Sequence, residues 1–483
     1  MATRIDRRSF IASLSAAALV PRYGAFAGVS AGQKPYLRLG VLSDTHIGVE
    51  QKNVSPDVPG SLNAFKAALR LFRERGVDAV VIAGDLTNYG LVEELRIVSS
   101  AWYEVFPDDR GADGAKVEKV FILGNHDAIA WRWSSSWTGE KWQGEKRKEK
   151  WNASIARDPA AAWKECFGED FAPIQMKTIK GVRFVMAHWP AIGENEGNWR
   201  QGADTPGLGE WFAANGDALR DGRPFFYVQH AHPKGTCLFS SVAADSGIST
   251  KILSRFPNAI ALSGHAHQPL TDDRNVWQGS FTSIGTASLL NNGGRHWREN
   301  GAPYCKGASQ LAKMPYVLSN DCKHGQYMRL YADRLEIDRL DFRWGLPLGR
   351  SWTVSLPATG RESFGGTEVE NKSPVFPDGA KVAVASEGEL VKVRFPAATT
   401  NGGRAYDYEV RAVLIADDYE MTISAKRIVA PDYYLPPAKA GIPGEAWFSN
   451  KELPVKSRIR FEVRAINCFG KASDAIAAVA DIG

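Results

Sequence analysis

The 483-residue chain is predicted to fold as a large α/β domain followed by a small all-β sandwich. Three observations predict this. From residue 36 onward short apolar runs alternate with helical patterns, as they do in layered α/β domains. Around Gly360–Pro377 the composition shifts to Gly, Ser, Thr and Pro, as in linkers. Beyond that point only short alternating strands recur, which is the pattern of a sandwich. The composition suits ordinary soluble protein, with 44% hydrophobic and 23% charged residues, and argues against wholesale disorder. The 46 Gly follow no Gly-X-Y period, which rules out a collagen-like chain.

The first 27 residues read as an export signal. Arg7-Arg8 precede Ser9-Phe10-Ile11, an apolar run continues to Val20, and Ala25-Phe26-Ala27 supplies a small-x-small cleavage site. The run is too short to span a bilayer, which takes about 20 residues. The paired arginines resemble the twin-arginine signal of bacterial exported proteins, with an ordinary secretory signal or a short buried helix as the alternatives. Residues 1–27 carry four Arg and one Asp, so most of the formal +5 leaves with them. The expected location is therefore periplasmic or secreted. The near-neutral mature chain argues against nucleic-acid binding, which needs clustered basic residues. No later stretch is long and apolar enough to span a membrane, and no Cys precedes Cys166 to serve as a lipid anchor.

Tyr36–Asp44, Asp78–Asp85 and Val117–Asn125 are strand-like, with the near-continuous apolarity of strands buried on both faces. Ser61–Gly76 is helical: Ser61 stands at the cap, Leu62, Phe65, Leu69 and Phe72 form a stripe, and Gly76 is the stop. Leu91–Phe106 repeats the pattern with Leu95, Val98, Trp102 and Phe106. Val182–Ala187, Pro224–Gln229 and Ala259–Ser263 are further strands. Gln326–Tyr331 and Leu335–Phe342 form a hairpin closing the domain. Between Asp127 and Gly181 lies an insertion with Trp131, Trp133, Trp137, Trp142 and Trp151, either a hydrophobic cap or a lid over substrate. The expected division is a signal at 1–27, a catalytic domain at 34–350 with the insertion about 128–180, a linker at 351–377 and a β module at 378–483. Five cysteines without a C-x-x-C pair give no support to a thiolate zinc or thioredoxin-like site. Cys305 and Cys322 could pair, with buried free thiols as the alternative.

Metal-competent residues stand where the strand runs end: Asp44-Thr45-His46, Gly84-Asp85, Gly124-Asn125-His126-Asp127, His230-Ala231-His232 and Gly264-His265-Ala266-His267. Asp44, Asp85 and Asn125 are 41 and 40 residues apart. One strand–helix–strand step of that size puts each at the carboxyl end of a parallel strand, the edge where open α/β sheets bind ligands. Mixed imidazole, carboxylate and amide donors suit first-row metals better than Ca²⁺ or Mg²⁺. Two such ions about 3.5–4 Å apart can hold a hydroxide and grip a phosphoryl group, and a His beside the Asn is placed to serve the leaving oxygen. Glycines before Asp85, Asn125 and His265 are expected to let the backbone approach the ions closely.

In order, the motifs read LSDTHIG, AGDLTNYG, LGNHD, VQHAHP and SGHAHQP. In this order they resemble the calcineurin-like metallophosphoesterases. The resemblance implies a layered β-sandwich flanked by helices (αββα). It also implies two divalent or trivalent ions, Fe, Mn, Zn or Ni. By resemblance Asp44, His46, Asp85 and His267 surround the first ion, with Asp85 bridging, while Asn125, His230 and His265 complete the second. His126, Asn125 and Asp85 are then the catalytic group. The family often has H-H-P where this chain has His230-Ala231-His232-Pro233; His230, directly after the strand, is preferred to His232. Asn88 and Tyr89 replace the Asp and Arg of the family's Ser/Thr phosphatases, which weakens a phosphoprotein reading. Purple acid phosphatases have Gly where His46 stands and a metal-binding Tyr three places after the Asp; Tyr89 lies four places after Asp85. The remaining likeness is to the group that includes cyclic-nucleotide phosphodiesterases and glycerophosphodiester hydrolases. The last hundred residues resemble a fibronectin type III domain in Phe461–Ser473, with Phe395 where an early core Trp is usual.

The expected function is an exported phosphoesterase in which a metal-bridging hydroxide attacks a small phosphodiester or phosphomonoester. The alternatives are a non-catalytic cell-surface binding protein on the same scaffold and a secreted nuclease. His188 is open between substrate contact and packing, while His296 and His324 read as ordinary core or surface residues. The sequence leaves the oligomeric state open.

Overall fold

The structure is a computed structural model that describes residues 34–52, 55, 60–128, 159–189, 204–240, 245–295, 316–319, 322–358, 372–399, 404–449 and 451–483. The export segment, the five tryptophans of the insertion, His296 and Cys305 lie outside the described residues.

The alternation of apolar residues along the strands builds the layers. In β1 (Leu37–Leu42) and β2 (Ala79–Ala83), Leu37, Leu39, Val41, Ala79, Val81 and Ala83 face one cluster. Leu42, Val80 and Ile82, one residue out of step, face another. Period-two exposure of both faces to apolar partners requires a layer on each side. On one side are helices α1 (Ser61–Arg75), α2 (Val92–Val105) and α3 (Pro159–Phe167), which bring Phe65, Phe72, Trp102 and Phe167. On the other side is a second sheet, contributing Phe184, Met186, Phe226, Val228, Ile260 and Leu262. That sheet's outer face is covered in turn by α4 (Leu208–Asn215) and α5 (Ile248–Leu253), which pack Leu208, Phe212 and Leu253 against Val185, Tyr227 and Ala261. The result is helix, sheet, sheet, helix.

The first sheet continues through β3 (Glu118–Ile122), β12 (His324–Leu330), β13 (Arg334–Asp341) and β14 (Leu346–Pro347), in the order β14-β13-β12-β1-β2-β3. β1, β2 and β3 are parallel, so their carboxyl ends share one edge, whereas β12 runs antiparallel to β1. The second sheet contains β4 (Ile174–Ile179), β5 (Val182–Ala187), β6 (Phe225–Val228), β7 (Ala259–Ser263), β8 (Val276–Gln278) and β9 (Thr282–Gly285), in the order β4-β5-β6-β7-β9-β8. β5, β6, β7 and β9 are parallel. A separate two-stranded pair, β10 (Asn292–Arg295) with β11 (Tyr316–Ser319), follows.

Two details differ from the sequence expectation. Ser61 lies inside α1, and Gly60 is the cap residue; the Leu62 N–H, which a Ser cap would leave to find a partner, donates to Gln51 Oε1 at 3.0 Å. Trp352–Ser355 (β15), expected in the linker beyond residue 350, pairs with β13, and Trp352 is buried. The β-ladder therefore runs past the expected boundary.

Beyond the linker the chain forms two antiparallel sheets. One is β16 (Ala383–Glu387), β17 (Leu390–Phe395) and β20 (Gly444–Ser449). The other is β18 (Asp407–Ile415), β19 (Glu420–Val429), β21 (Ser457–Ile466) and β22 (Ile476–Ile482). Their inner faces share one core, in which the rings of Phe395 and Tyr408 stand 4.9 Å apart. Among the described residues no helix is long and apolar enough to cross a membrane.

At Gly40, in the middle of β1, the first helix layer comes close: a Cβ there would stand 2.2 Å from Phe72 Cδ2. Gly40→Ala is expected to cost about 1–3 kcal/mol in denaturant unfolding. In a Phe72→Leu background the same change should cost clearly less, because the opposing ring is gone. Strictly additive costs would contradict this packing.

Candidate metal centre

Five short turns bring the polar residues together at the carboxyl edges of the two sheets. Asp44 and His46 follow β1, Asp85 follows β2, Asn125 and His126 follow β3, His230 follows β6, and His265 and His267 follow β7. The turns are tight. Asp44, His46, Asp85, His265 and His267 all have φ between 43° and 65°. The left-handed region is uncommon outside Gly, though Asp and His tolerate it better than most residues. Such backbone is stored at functional sites when the surroundings enforce it. Here main-chain hydrogen bonds do so: Asp44 N donates to Gly84 O at 3.0 Å and His46 N to Asp85 O at 3.0 Å.

The glycines of the motifs make room for ligand side chains. A Cβ on Gly84 would stand 2.3 Å from His230 Nδ1, and one on Gly124 2.2 Å from Asp85 Oδ1. On Gly264 it would meet Ser43 Oγ at 1.8 Å and Asp44 Oδ2 at 2.4 Å. The close approach expected toward ions is in fact toward the donors.

Each carboxylate turns one oxygen toward imidazoles, and the His265 N–H is shared between both oxygens of Asp44, at 3.2 Å from Oδ1. Asp44 Oδ2 accepts from Ser43 Oγ (2.5 Å) and His265 N (3.0 Å), while Oδ1 lies 2.9 Å from His267 Nε2 and 3.8 Å from both His46 Nε2 and His230 Nε2. Asp85 Oδ1 accepts from His126 N at 2.8 Å. Its Oδ2 lies 3.4 Å from His46 Nε2 and 3.1 Å from His230 Nε2, so this one oxygen stands between two donor groups. Asn125 Oδ1 lies 3.1 Å from His230 Nε2. Asp44, His46 and His267 form one set able to hold a cation, and Asp85, His230 and His265 form another. A third set is His46, Asp85 and His126; within each set the ligand atoms lie within 4.8 Å of one another.

Partners outside these sets fix the rings. His230 Nδ1 donates to Ala83 O at 2.7 Å, and His267 Nδ1 to Asn291 Oδ1 at 2.8 Å, so each turns Nε2 inward. His126 Nδ1 donates to Asn88 O at 2.9 Å, which fixes the orientation of its ring. The Trp189 ring backs the second set, 5.9 Å from His230 and 5.7 Å from His265.

Burial opposes ionisation of Asp44 and Asp85, yet the surrounding histidines hold both carboxyls below their ordinary range. Burial would also lower His230, but Asp85 and Asp44 push it up to about 9; His267 rises for the same reason beside Asp44. Burial keeps His46 low, and burial with the neighbouring His230 pushes His265 down to about 3. A neutral imidazole is the form that binds a cation. Both ring nitrogens of His46 are buried and have no hydrogen-bond partner. An orphaned buried imidazole beside two carboxylates, in a mixed nitrogen and oxygen donor set, fits a bound first-row metal.

All eight residues singled out from the sequence therefore converge: Asp44, His46, Asp85, Asn125, His126, His230, His265 and His267. The alternative His232 is not in these sets; it is buried, and burial pushes it down to about 4. His188 is a packing residue. Its Nδ1 accepts from Leu123 N at 3.1 Å, and its ring meets Trp163 edge-on at 5.5 Å. His324 lies near Cys322 and Asp341, which also form a possible cation set. However, Leu270 N donates to His324 Nδ1 at 3.2 Å, so in neutral His324 the proton is on Nε2, where it donates to Tyr434 O at 3.1 Å. A protonated Nε2 cannot ligate, so that cluster is a hydrogen-bonded contact. Asn291 lies outside the motifs, and Ser43 and Asn88 stand inside them with no role that the pattern assigns, so the fold reveals what these three do.

The loop that presents Asn88 O to His126 is clamped from two sides. Asp127, beside the Asn and His of its motif, accepts from Leu86 N, Thr87 N, Thr87 Oγ1 and Gly124 N. Burial and the Asp85 charge push it up to about 6 against these four donors. Glu94, at the start of α2, accepts from Tyr89 N (2.9 Å) and Leu91 N (3.2 Å) through Oε2, while its Oε1 is buried without a partner.

Residues 37–269 match the family described as calcineurin-like phosphoesterase, and the two large sheets with their helices have that α/β fold. A dimetal phosphatase from Danio rerio is similar at 12% identity and a TM-score of 0.40, over 67% of this chain and 99% of that one. A purple acid phosphatase from yellow lupin is similar at 15% identity and a TM-score of 0.39, over 67% of this chain and 55% of that one. The FN1-FN3 domains of chicken CNTN1 are similar at 12% identity and a TM-score of 0.17, over 38% of this chain and 54% of that one. No curated protein matches the chain.

The clamp makes a pH prediction. Burial pushes the Glu94 carboxyl from an ordinary 4.5 up to about 8. The folded state therefore holds a proton that the unfolded state releases, so this contribution is full below about pH 4.5 and lost as pH rises toward 8. Glu94→Gln keeps an acceptor for both amides and removes the titration. Thermal unfolding should show the variant gaining on the wild type between pH 5 and 9, reaching at least about 1 kcal/mol at the top. Parallel pH curves would contradict a buried, protonated Glu94.

Proposed function

We propose that the calcineurin-like phosphoesterase domain at 37–269 makes this chain a metal-dependent phosphoric ester hydrolase acting on small phosphoesters. The observation that carries the reading is the convergence of eight metal-competent residues, with Asp85 Oδ2 between His46 and His230 and with both ring nitrogens of His46 buried and without a hydrogen bond. Asp44, His46, Asp85 and His267 would hold one ion, and Asp85, Asn125, His230 and His265 a second, of Fe, Mn, Zn or Ni type. When bound, such ions supply Lewis-acid polarisation of phosphoryl oxygens and activate water at neutral pH.

The chain's own groups do the rest. His126 is held at both its backbone N–H and its Nδ1, so Nε2, carrying a proton in the imidazolium form, is the nitrogen that can serve the leaving oxygen. Asn125 turns its carbonyl toward His230, which leaves its amide N–H groups to orient a phosphoryl oxygen. Asn125, His126, His265 and His267 are partly exposed, so substrate enters from that side. The twin-arginine pattern of residues 1–27 supports export to the periplasm or beyond, and the paired antiparallel sheets after residue 378 support a fibronectin type III-like module.

Reconstituted with Mn²⁺ or Zn²⁺, the protein should hydrolyse bis(p-nitrophenyl) phosphate or p-nitrophenyl phosphate. His126→Ala should keep its metal and lose about 10²–10⁴-fold in kcat. Asp85→Asn should lose both metal and activity. A metal-loaded wild type inert on both esters would overturn the proposal.

A further inference from the structure

The structure ties the all-β module to the metal centre by an unbroken set of hydrogen bonds. The tie begins at Tyr434, whose carbonyl accepts from His324 Nε2 (3.1 Å) and from Cys322 Sγ (3.3 Å). Cys322 is fully buried within the module's own hydrophobic core, although it belongs to the chain that enters β12. Docking is supported elsewhere by the Arg274 guanidinium, 4.8 Å over the Tyr406 ring.

From there the tie runs inward. His324 N donates to Ser288 O at 3.0 Å, and Asn292 Nδ2 bridges Cys322 O (3.0 Å) and Ser288 O (2.8 Å). Ser288 N donates to Asn292 Oδ1 at 3.2 Å. Ser288 Oγ accepts from Leu290 N and Asn291 N and donates to Asp44 O at 3.2 Å. Asn291 Oδ1 then receives His267 Nδ1 at 2.8 Å. The segment 288–292 thus fixes the backbone of one donor of the first set and the ring of another. It is itself fixed from 322–324, which the module grips at Tyr434.

We infer that the C-terminal β-sandwich is a structural part of the metal centre, and that His324 and Asn292 are positioning residues for the Asp44, His46 and His267 set. Side chains that orient ligands typically change metal affinity about 10–100-fold when removed. The inference rests on the proposed metal-binding reading and adds to it an assignment of what holds one half of the site in place.

The test is equilibrium dialysis of full-length protein against buffered free Zn²⁺, with metal counted per chain. His324→Phe keeps the ring volume and removes both side-chain hydrogen bonds. It is expected to lower the affinity of one of two binding steps about 10–100-fold, so that limiting metal fills about one site in place of two. Hydrogen exchange at the Leu290 and Asn291 amides should quicken in the same variant. Lys439→Ala removes a docking contact outside this tie, an ammonium 4.7 Å from the Trp344 ring, and should leave both steps unchanged. If His324→Phe does not fold, Asn292→Ala carries the same expectation without touching Tyr434. Unchanged affinities in a folded relay variant, or an equal loss in Lys439→Ala, would overturn this inference while leaving the metal centre intact. A wild type that binds no metal would remove both.

Discussion

Asp44 and Asp85 lie out of water beside one another, and two like charges in a medium of low dielectric repel unless cations stand between them. Histidines answer part of that demand, and the carboxylates in turn push His230 up to about 9. His46 shows what they leave unmet, since its ring stands beside both carboxylates yet neither ring nitrogen has a hydrogen bond. Most of the local architecture serves this arrangement. Parallel strands deliver the acids to a shared edge, left-handed turns reverse the chain within one or two residues, and glycines clear the space the donors occupy.

Much of this was legible in the sequence. The even spacing of Asp44, Asp85 and Asn125 reports one repeated strand–helix–strand step, and continuous apolar runs report strands covered on both faces. What escaped was short or indirect. Thr282–Gly285 and Val276–Gln278 are too brief for their alternation to register, and Trp352–Ser355 lies past an apparent domain end. The first helix is capped at Gly60 and not at Ser61, and the Leu62 amide finds its acceptor in Gln51, eleven residues away, where no local pattern points. Asn291 and Glu94 act through geometry that no local pattern encodes: one orients a ring across a turn, the other holds a loop by two amides.

The two clamps around the centre differ in kind. On the His126 side, Asp127 and Glu94 are charged or titratable groups buried against backbone donors, which ties loop order to protonation. On the His267 side the support is made mainly of amide, hydroxyl and carbonyl groups, and it reaches the β-sandwich through the His324 ring and the Cys322 thiol. The tautomer of His324, fixed by the Leu270 amide, makes that second support a hydrogen-bonded contact although its residue types resemble a metal site. Residue composition alone does not separate the two cases; the direction of one hydrogen bond does.

The central claim is that cations complete the space between Asp44, Asp85 and the surrounding imidazoles. Anomalous diffraction from crystals grown with Mn²⁺ or Zn²⁺ tests it most directly. The account predicts two peaks flanking the Asp85 carboxylate, one toward His46 and His267 and the other toward His230 and His265. A well-ordered structure at saturating metal with no peak at Asp85 would contradict it.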